Sequence, residues 1–437
     1  MLPELITAVP GPNSGRLAQE LTEVECRNIT FLSENFPIFW ERAQGANVWD
    51  VDGNRFLDLT SGFGVATSGF GQEALVNAFK EQPEKLYHAM GDVHPTELKI
   101  RLCRALVDIT FGRWNHGSAK VILGNSGFEA VEVALKTAYL ATGKPGVIAF
   151  EGGYHGLGYG ALAATALEPF QGPFRRQLKD FAHFLPFPRR VADLEPLYLC
   201  LVEKAMSGGY GAILVEPVQG RGGEIFPPEG FLQMLKDVAD ERGLILIFDE
   251  IYTGFFRTGP FFACEAEAVI PDLICLGKAL SGAFPISACV GKTGVMDAWP
   301  KSDGEALHTS TFLGNPVGCA VALASLREWR AKDWKSEAEE RGAIWKKELE
   351  KLWVRHPDKI REVRGRGLLW GLEMGGGSRE SGERLAGYLV GKGLAGGLIL
   401  LSGGVERNVI SLSPSFKLRA EEIAWVTAKL DELLQRF

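Results

Sequence analysis

Pairable cysteine, clustered positive charge and long apolar runs are all scarce in this 437-residue chain. Its seven cysteines (Cys26, Cys103, Cys200, Cys264, Cys275, Cys289 and Cys319) are odd in number, and none form a Cys-x-x-Cys spacing. That argues against a disulfide framework and the common zinc motifs, and free thiols in a reducing cytoplasm are expected, with no metal assigned. Basic residues stand singly or in scattered pairs such as Arg175-Arg176, in a chain of net charge −7. No nucleic-acid surface is expected from that distribution. No apolar run approaches the ~20 residues of a membrane span, so no membrane association is expected. The beginning of the chain carries Glu4 and Pro10-Gly11-Pro12 instead of a basic-then-apolar pattern, and no secretion signal is expected. Internal repeats and low-complexity tracts are also missing.

What is present is bulk and alternation. With 46% hydrophobic residues and 53 glycines, the chain has material for one large α/β domain and a smaller one. Residues 1–35 read as an arm with a polar helix over 17–28. Residues 46–59 (ANVWDVDGNRFLDL) read as a hairpin, two alternating runs joined at Asp52-Gly53. Apolar runs follow at 119–123, 146–150, 212–215, 244–248, 273–276 and 287–290, several separated by helical stretches. This predicts a mainly parallel sheet with helices on both faces. From about 324 the pattern changes: a charged amphipathic helix over 334–353, strands near 365–374, 398–401 and 409–413, and a closing helix over 419–435. The expected organisation is an arm and hairpin (1–58) joining a small α+β domain (324–437), with a large domain (59–323) between them. Gly375 to Gly377 with Ser378 predict an exposed turn.

Chemistry concentrates in residues 248–286 (FDEIYTGFFRTGPFFACEAEAVIPDLICLGKALSGAFPI). One apolar run closes on Asp249-Glu250 and the next on Gly277-Lys278. In a parallel α/β sheet, ligands bind at the carboxyl ends of strands. A lysine there is costly unless neutralised; converting its amine to an imine removes part of that cost and supplies a nucleophile. A cofactor that needs a carboxylate at one end and an amine at the other is pyridoxal 5'-phosphate (PLP), whose pyridine nitrogen pairs with Asp and whose aldehyde forms a Schiff base with Lys. Each residue also has a plain alternative. Lys278 could end a strand at the surface, and Asp249 could cap a helix. The coupling of the two favours the cofactor.

Other strand ends carry weaker signals. Gly124-Asn125-Ser126-Gly127-Phe128-Glu129 precedes a helix and suits a phosphate, since helix N-termini present free N–H groups. It equally suits an ordinary capping box between Ser126 and Glu129. Gly153-Tyr154-His155-Gly156 offers an aromatic face for a flat ring, or a packed turn. The hydroxyl-rich turn from His308 to Pro316 suits a phosphate contact or a capped loop. In Glu216-Pro217-Val218-Gln219-Gly220-Arg221-Gly222-Gly223, Arg221 could meet a substrate carboxylate or simply face solvent.

In this order, and over nearly the whole chain from WDVDGNRFLDL to NVISLSPSF, these segments resemble the class III aminotransferases, PLP enzymes of fold type I. The resemblance implies Lys278 as the Schiff-base lysine and Asp249 as the pyridine-nitrogen partner. It implies Ser126 and Gly127 as phosphate ligands, Tyr154 as the stacking aromatic and Ile251 against the opposite ring face. Thr311 is implied as a phosphate ligand contributed by a neighbouring subunit, hence a homodimer. Phe63 falls at a substrate-pocket position, and Arg257 matches a family position without an assigned role. Three departures stand out. Tyr252 replaces a frequent Gln. Arg221 stands where many members using 2-oxoglutarate have Glu, and Ser411 stands where those members have the Arg that holds the α-carboxylate. Loss of that Arg alone would leave the Glu unpaired, so the double change is coherent, and Arg221 is expected to supply the positive charge from another wall. The implied activity is a ping-pong transamination from an ω-amino acid or primary amine to an oxo acid. A racemase, epimerase or aminomutase on the same scaffold is the alternative. A silent scaffold protein is disfavoured by the presence of both Lys278 and Asp249.

Overall fold

Short β-branched and leucine-rich runs separated by amphipathic helices fold in the way that periodicity dictates. The computed structural model describes residues 1–33, 36–375 and 379–437. The turn expected at 375–377 with Ser378 therefore lies, beyond Gly375, outside the described residues. Two units are formed: Glu73–Lys335, and Met1–Gln72 together with Ser336–Phe437. Both divisions fall later in the chain than the expected 58/59 and 323/324. The helix Pro316–Arg330 explains the second difference, because it packs on helices Glu73–Lys85 and Glu97–Val107 of the larger unit.

In the smaller unit, β1 (Trp40–Gln44), β2 (Asn47–Asp50) and β3 (Arg55–Asp58) form an antiparallel meander. The β2–β3 turn contains Gly53 at φ 85, and the Asp50 carboxylate accepts from the Asp52 and Asn54 backbone N–H groups. The N-terminal helix spans Pro12–Val24, earlier than the expected 17–28, with proline in its first turn where its missing N–H costs nothing.

The larger unit holds β4 (Ala119–Gly124), β5 (Gly146–Phe150), β6 (Ala182–Leu185), β7 (Tyr210–Val215), β8 (Ile245–Asp249), β9 (Leu273–Leu276) and β10 (Ser287–Lys292). They form one sheet in the order β4-β10-β9-β8-β7-β5-β6. Sequence periodicity does not reveal β6, a four-residue edge strand that includes His183. Strand β10 is antiparallel to β4 and β9, and the remaining pairs are parallel. The helix Gly127–Thr142 lays Ala130, Val131, Ala134 and Ala138 against Leu214, Ile247, Leu273 and Cys275. Each large apolar side chain so buried contributes about 1.5–3 kcal/mol.

The rest of the smaller unit comprises β11 (Ile360–Arg366), β12 (Leu369–Met374), β13 (Leu398–Ile399), β14 (Leu401–Gly403) and β15 (Val409–Leu412). The single strand expected near 365–374 is a hairpin turning at Gly367, φ 60. Strand β13 pairs with β3 in parallel, and Leu57 and Leu59 share a core with Trp345, Leu372 and Leu430. The two ends of the chain thus build one core. Among the described residues no helix is long and apolar enough to cross a membrane.

Candidate active site

Because β10 is antiparallel to both β4 and β9, strands β4, β5, β7, β8 and β9 all point their carboxyl ends to one edge of the sheet. The loops leaving that edge carry Ser126, Tyr154, Glu216, Asp249 and Lys278. Helix N-termini, loop N–H groups and short side chains converge there, as the geometry of parallel sheets requires.

Lys278 follows β9 with φ 43, a left-handed conformation that costs a non-glycine residue about 1–3 kcal/mol and is typical of functional positions. Burial pushes its amine below the ordinary lysine value; Asp249 and Glu216 pull it back up, and Arg221 pushes it further down. A lowered pKa favours the neutral amine, the form that is a nucleophile and a base. The amine lies 5.1 Å from the centre of the Tyr252 ring.

Asp249 ends β8 and is buried. Its Oδ1 accepts from the Ile251 backbone N–H at 3.1 Å, and its Oδ2 lies 2.9 Å from His155 Nδ1. A carboxylate only accepts, so the pairing places the imidazole proton on Nδ1. The His155 N–H donates to the Thr165 hydroxyl at 3.0 Å, which fixes the loop after β5. From sequence His155 fits either a support for the site or a packed core histidine; its bond to Asp249 makes it a brace.

Glu216, also given no role from sequence, is buried and bridges two loops. Its Oε1 accepts from Tyr154 N–H at 2.9 Å and its Oε2 from Gly220 N–H at 3.0 Å. Desolvation, opposed by His155 and the two N–H groups and reinforced by Asp249, raises its pKa to about 7. The folded chain holds this proton more tightly than the unfolded chain, whose value is near 4.5. Its stabilising contribution is therefore complete below pH 4.5 and is lost as pH rises through about 7. Glu216→Gln removes that titration. Between pH 4.5 and 8, the cofactor-free wild type should lose about 3 kcal/mol of stability relative to the variant, at ~1.4 kcal/mol per unit. Denaturant midpoints across that range provide the measurement; parallel pH slopes would rule the coupling out.

At the other end of the site, Ser126 precedes the helix Gly127–Thr142 and its hydroxyl makes no cap bond. The capping-box alternative does not form: Glu129 Oε2 accepts instead from Asn125 N–H at 2.5 Å and Nδ2 at 3.2 Å. The Ser126 hydroxyl is left buried without a partner at a helix N-terminus. A polar group in that position calls for a ligand, and an anion fits it. A Cβ on Gly127 would come within 3.2 Å of Ile251 Cδ1 and Cγ2, and one on Gly277 within 3.2 Å of Ile251 Cγ2. Ile251 thus packs between the helix start and the residue before Lys278. Asn125 Nδ2 also donates to Ser310 Oγ at 3.1 Å, which ties the turn carrying exposed Thr311 to the same loop. An unsatisfied hydroxyl at a helix N-terminus, a buried carboxylate and a desolvated amine make a site whose donors fit PLP.

Tyr154 and Arg221 lie side by side in the larger unit. The Arg221 guanidinium lies 4.9 Å from the Tyr154 ring centre and 5.1 Å from that of Phe170. Burial raises the Tyr154 phenol pKa, with Arg221 opposing. Phe63 belongs to the smaller unit, exposed at φ 61 in the turn Ser61–Gly64. Ser411 belongs to the same unit, on β15, opposite Gly371 and Leu401. Glu250 is structural: its carboxylate accepts from the Ala263 and Cys264 backbone N–H groups at 3.0 and 2.8 Å.

Comparison with known proteins agrees with this geometry. Residues 31–434 match the family model described as aminotransferase class-III. An acetylornithine aminotransferase of Methanopyrus kandleri is 39% identical over 340 residues, 78% of this chain and 82% of that protein. A 4-aminobutyrate aminotransferase of Mycobacterium leprae is 34% identical over 96% of this chain and 95% of its own length. Among solved structures, an amine transaminase from an uncultivated Pseudomonas species in a PLP-bound form superposes with a TM-score of 0.85 at 26% identity, covering 94% of this chain and 98% of that one. The match spans both units, including the site-bearing segments of the larger one, and the chain belongs to the class-III aminotransferases, with their fold type I architecture.

Proposed function

We propose that this chain moves an amino group from an ω-amino acid or a primary amine to an oxo acid in a two-half, ping-pong cycle, with PLP held between Asp249 and Lys278. The observation that carries the reading is the desolvated Lys278 amine on the same sheet edge as the His155-braced Asp249 carboxylate. Bound there, PLP supplies the electron sink that lets a carbon attached to nitrogen lose a proton. Lys278 would hold the cofactor through its Nζ, and the same amine, when released, would take up and return the substrate proton as general base and acid. Asp249 would pair with the ring nitrogen and favour its protonated form. Ser126 Oγ, buried without a partner, and the backbone at Gly127 would receive the phosphate, and Tyr154 and Ile251 would take the two ring faces. Arg221 receives the substrate carboxylate, and Phe63 lines the substrate pocket. Thr311, exposed on its turn, would reach the phosphate held by a second copy, which makes a homodimer the proposed working assembly. All seven cysteines are free, in keeping with a cytoplasmic location. Relatives named for acetylornithine and 4-aminobutyrate, and a solved amine transaminase, support the donor class.

A donor-only experiment separates this from the racemase reading. PLP-loaded enzyme is mixed with a chiral amine donor and no oxo acid. Transamination converts the cofactor to its aminated form once per site, with loss of the aldehyde absorbance, and then stops. Racemisation erases optical rotation continuously and leaves the cofactor spectrum unchanged.

A further inference from the structure

Arg221 is exposed, and among the described residues no Asp or Glu lies within ion-pair distance of it. Its guanidinium instead rests against two aromatic rings, Tyr154 and Phe170, themselves in edge contact with centres 5.4 Å apart. A guanidinium held against aromatic rings keeps N–H donors at its edge for a carboxylate. The seat is also braced from below. Phe170 lies in the helical turn Glu168–Gln171, and Gln171 Nε2 donates to the Ala163 carbonyl at 3.3 Å. In the same loop the Thr165 hydroxyl accepts from His155 N–H at 3.0 Å and donates to the Ala161 carbonyl at 3.0 Å. Glu216 fixes the other side through Tyr154 N–H and Gly220 N–H. The loop that braces Asp249 therefore also presents Phe170 to Arg221.

We propose that Phe170 is a positioning residue for substrate specificity: with Tyr154 it holds the Arg221 guanidinium so that its open edge receives the carboxylate of an ω-amino acid or oxo acid. This rests on the assignment of Arg221 to the substrate carboxylate. Phe170 touches neither substrate nor cofactor; it acts through Arg221, and Tyr154 links carboxylate capture to the cofactor ring.

The test uses PLP-loaded enzyme and two inhibitors of equal length, pentanoate and pentanamide, in which a charged acceptor oxygen is exchanged for a neutral NH2 group. Their competitive inhibition constants against the amino donor give a carboxylate preference for each protein. Wild type should favour pentanoate, and Arg221→Ala should bring the ratio to about one. Phe170→Leu, which keeps apolar bulk without an aromatic face, should cut the preference about fivefold, the worth of roughly 1 kcal/mol of cation–π contact. Phe170→Tyr should restore it. A wild-type ratio in Phe170→Leu, or equal weakening of both inhibitors, overturns the role of Phe170 while Arg221 keeps its own. A wild type with no preference, or one that Arg221→Ala leaves intact, overturns the Arg221 assignment itself.

Discussion

Lys278→Ala is expected to lower kcat by about 10⁴-fold or more, because it removes the nucleophile together with a general base that alone is worth ~10²–10⁴. Borohydride reduction of the PLP-loaded wild type followed by peptide mapping should mark residue 278. The variant should carry no mark, and a small primary amine such as methylamine should restore part of its turnover by entering the vacated space. A mark on another lysine would end the assignment. A second readout distinguishes lost chemistry from a damaged fold. The Lys278 amine has a depressed pKa in the folded chain against an ordinary value of 10.5. Its favourable contribution is thus complete above pH 10.5 and is lost as pH falls through the depressed value. At neutral pH the cofactor-free variant, free of that burden, should be more stable than the cofactor-free wild type, and the gap should close as pH approaches 10.5.

Asp249→Asn should cost about 10²–10³-fold in kcat, the scale seen when one preorganised electrostatic partner is removed from an active site. The substitution leaves most of the shape intact. An amide oxygen at the Oδ1 position still accepts from Ile251 N–H, and the His155 ring still has a partner after a change of tautomer. What disappears is the charge that would keep the ring nitrogen protonated. Cofactor content, read from absorbance, must be measured beside kcat so that weaker binding is not mistaken for slower chemistry. His155→Phe should have a smaller effect in the same direction, since it loosens the carboxylate without removing it. Wild-type turnover in fully loaded Asp249→Asn would move the essential charge to another residue.

The placement of Lys278 and Asp249 at neighbouring strand ends has a physical origin that makes it legible in the sequence. Each follows a short apolar run, and a run of four or five such residues becomes a buried strand almost regardless of context. Whatever polar residue comes next is carried to the strand end. Ser126, Tyr154 and Glu216 reach the same edge by the same rule. The edge strand β6 escaped notice because Ala182–Leu185 is short and only its last residue is buried. In the hairpin β11–β12 only the second strand carries an apolar signal: Ile360–Arg366 holds three arginines and a glutamate with Ile360 alone buried, whereas every residue of Leu369–Met374 is buried.

Partnership was beyond the reach of the linear pattern. His155 meets Asp249 across 94 positions of chain, and Glu216 holds Tyr154 across 62. From sequence, Ser126 and Glu129 formed as good a capping box as a phosphate site; the fold turns Glu129 to Asn125 and leaves the Ser126 hydroxyl without a partner. Phe170, in a stretch with no motif, is brought against one other ring, Tyr154, and one guanidinium, Arg221, only by the fold. Hydrophobic periodicity is a local property, so the order of helices and strands, the sheet class and the residues delivered to strand ends are written along the chain. Desolvation, hydrogen-bond partners and charge coupling depend on atoms brought close from distant positions. The depressed amine of Lys278, the raised acid of Glu216 and the aromatic seat of Arg221 therefore exist only once the chain has packed.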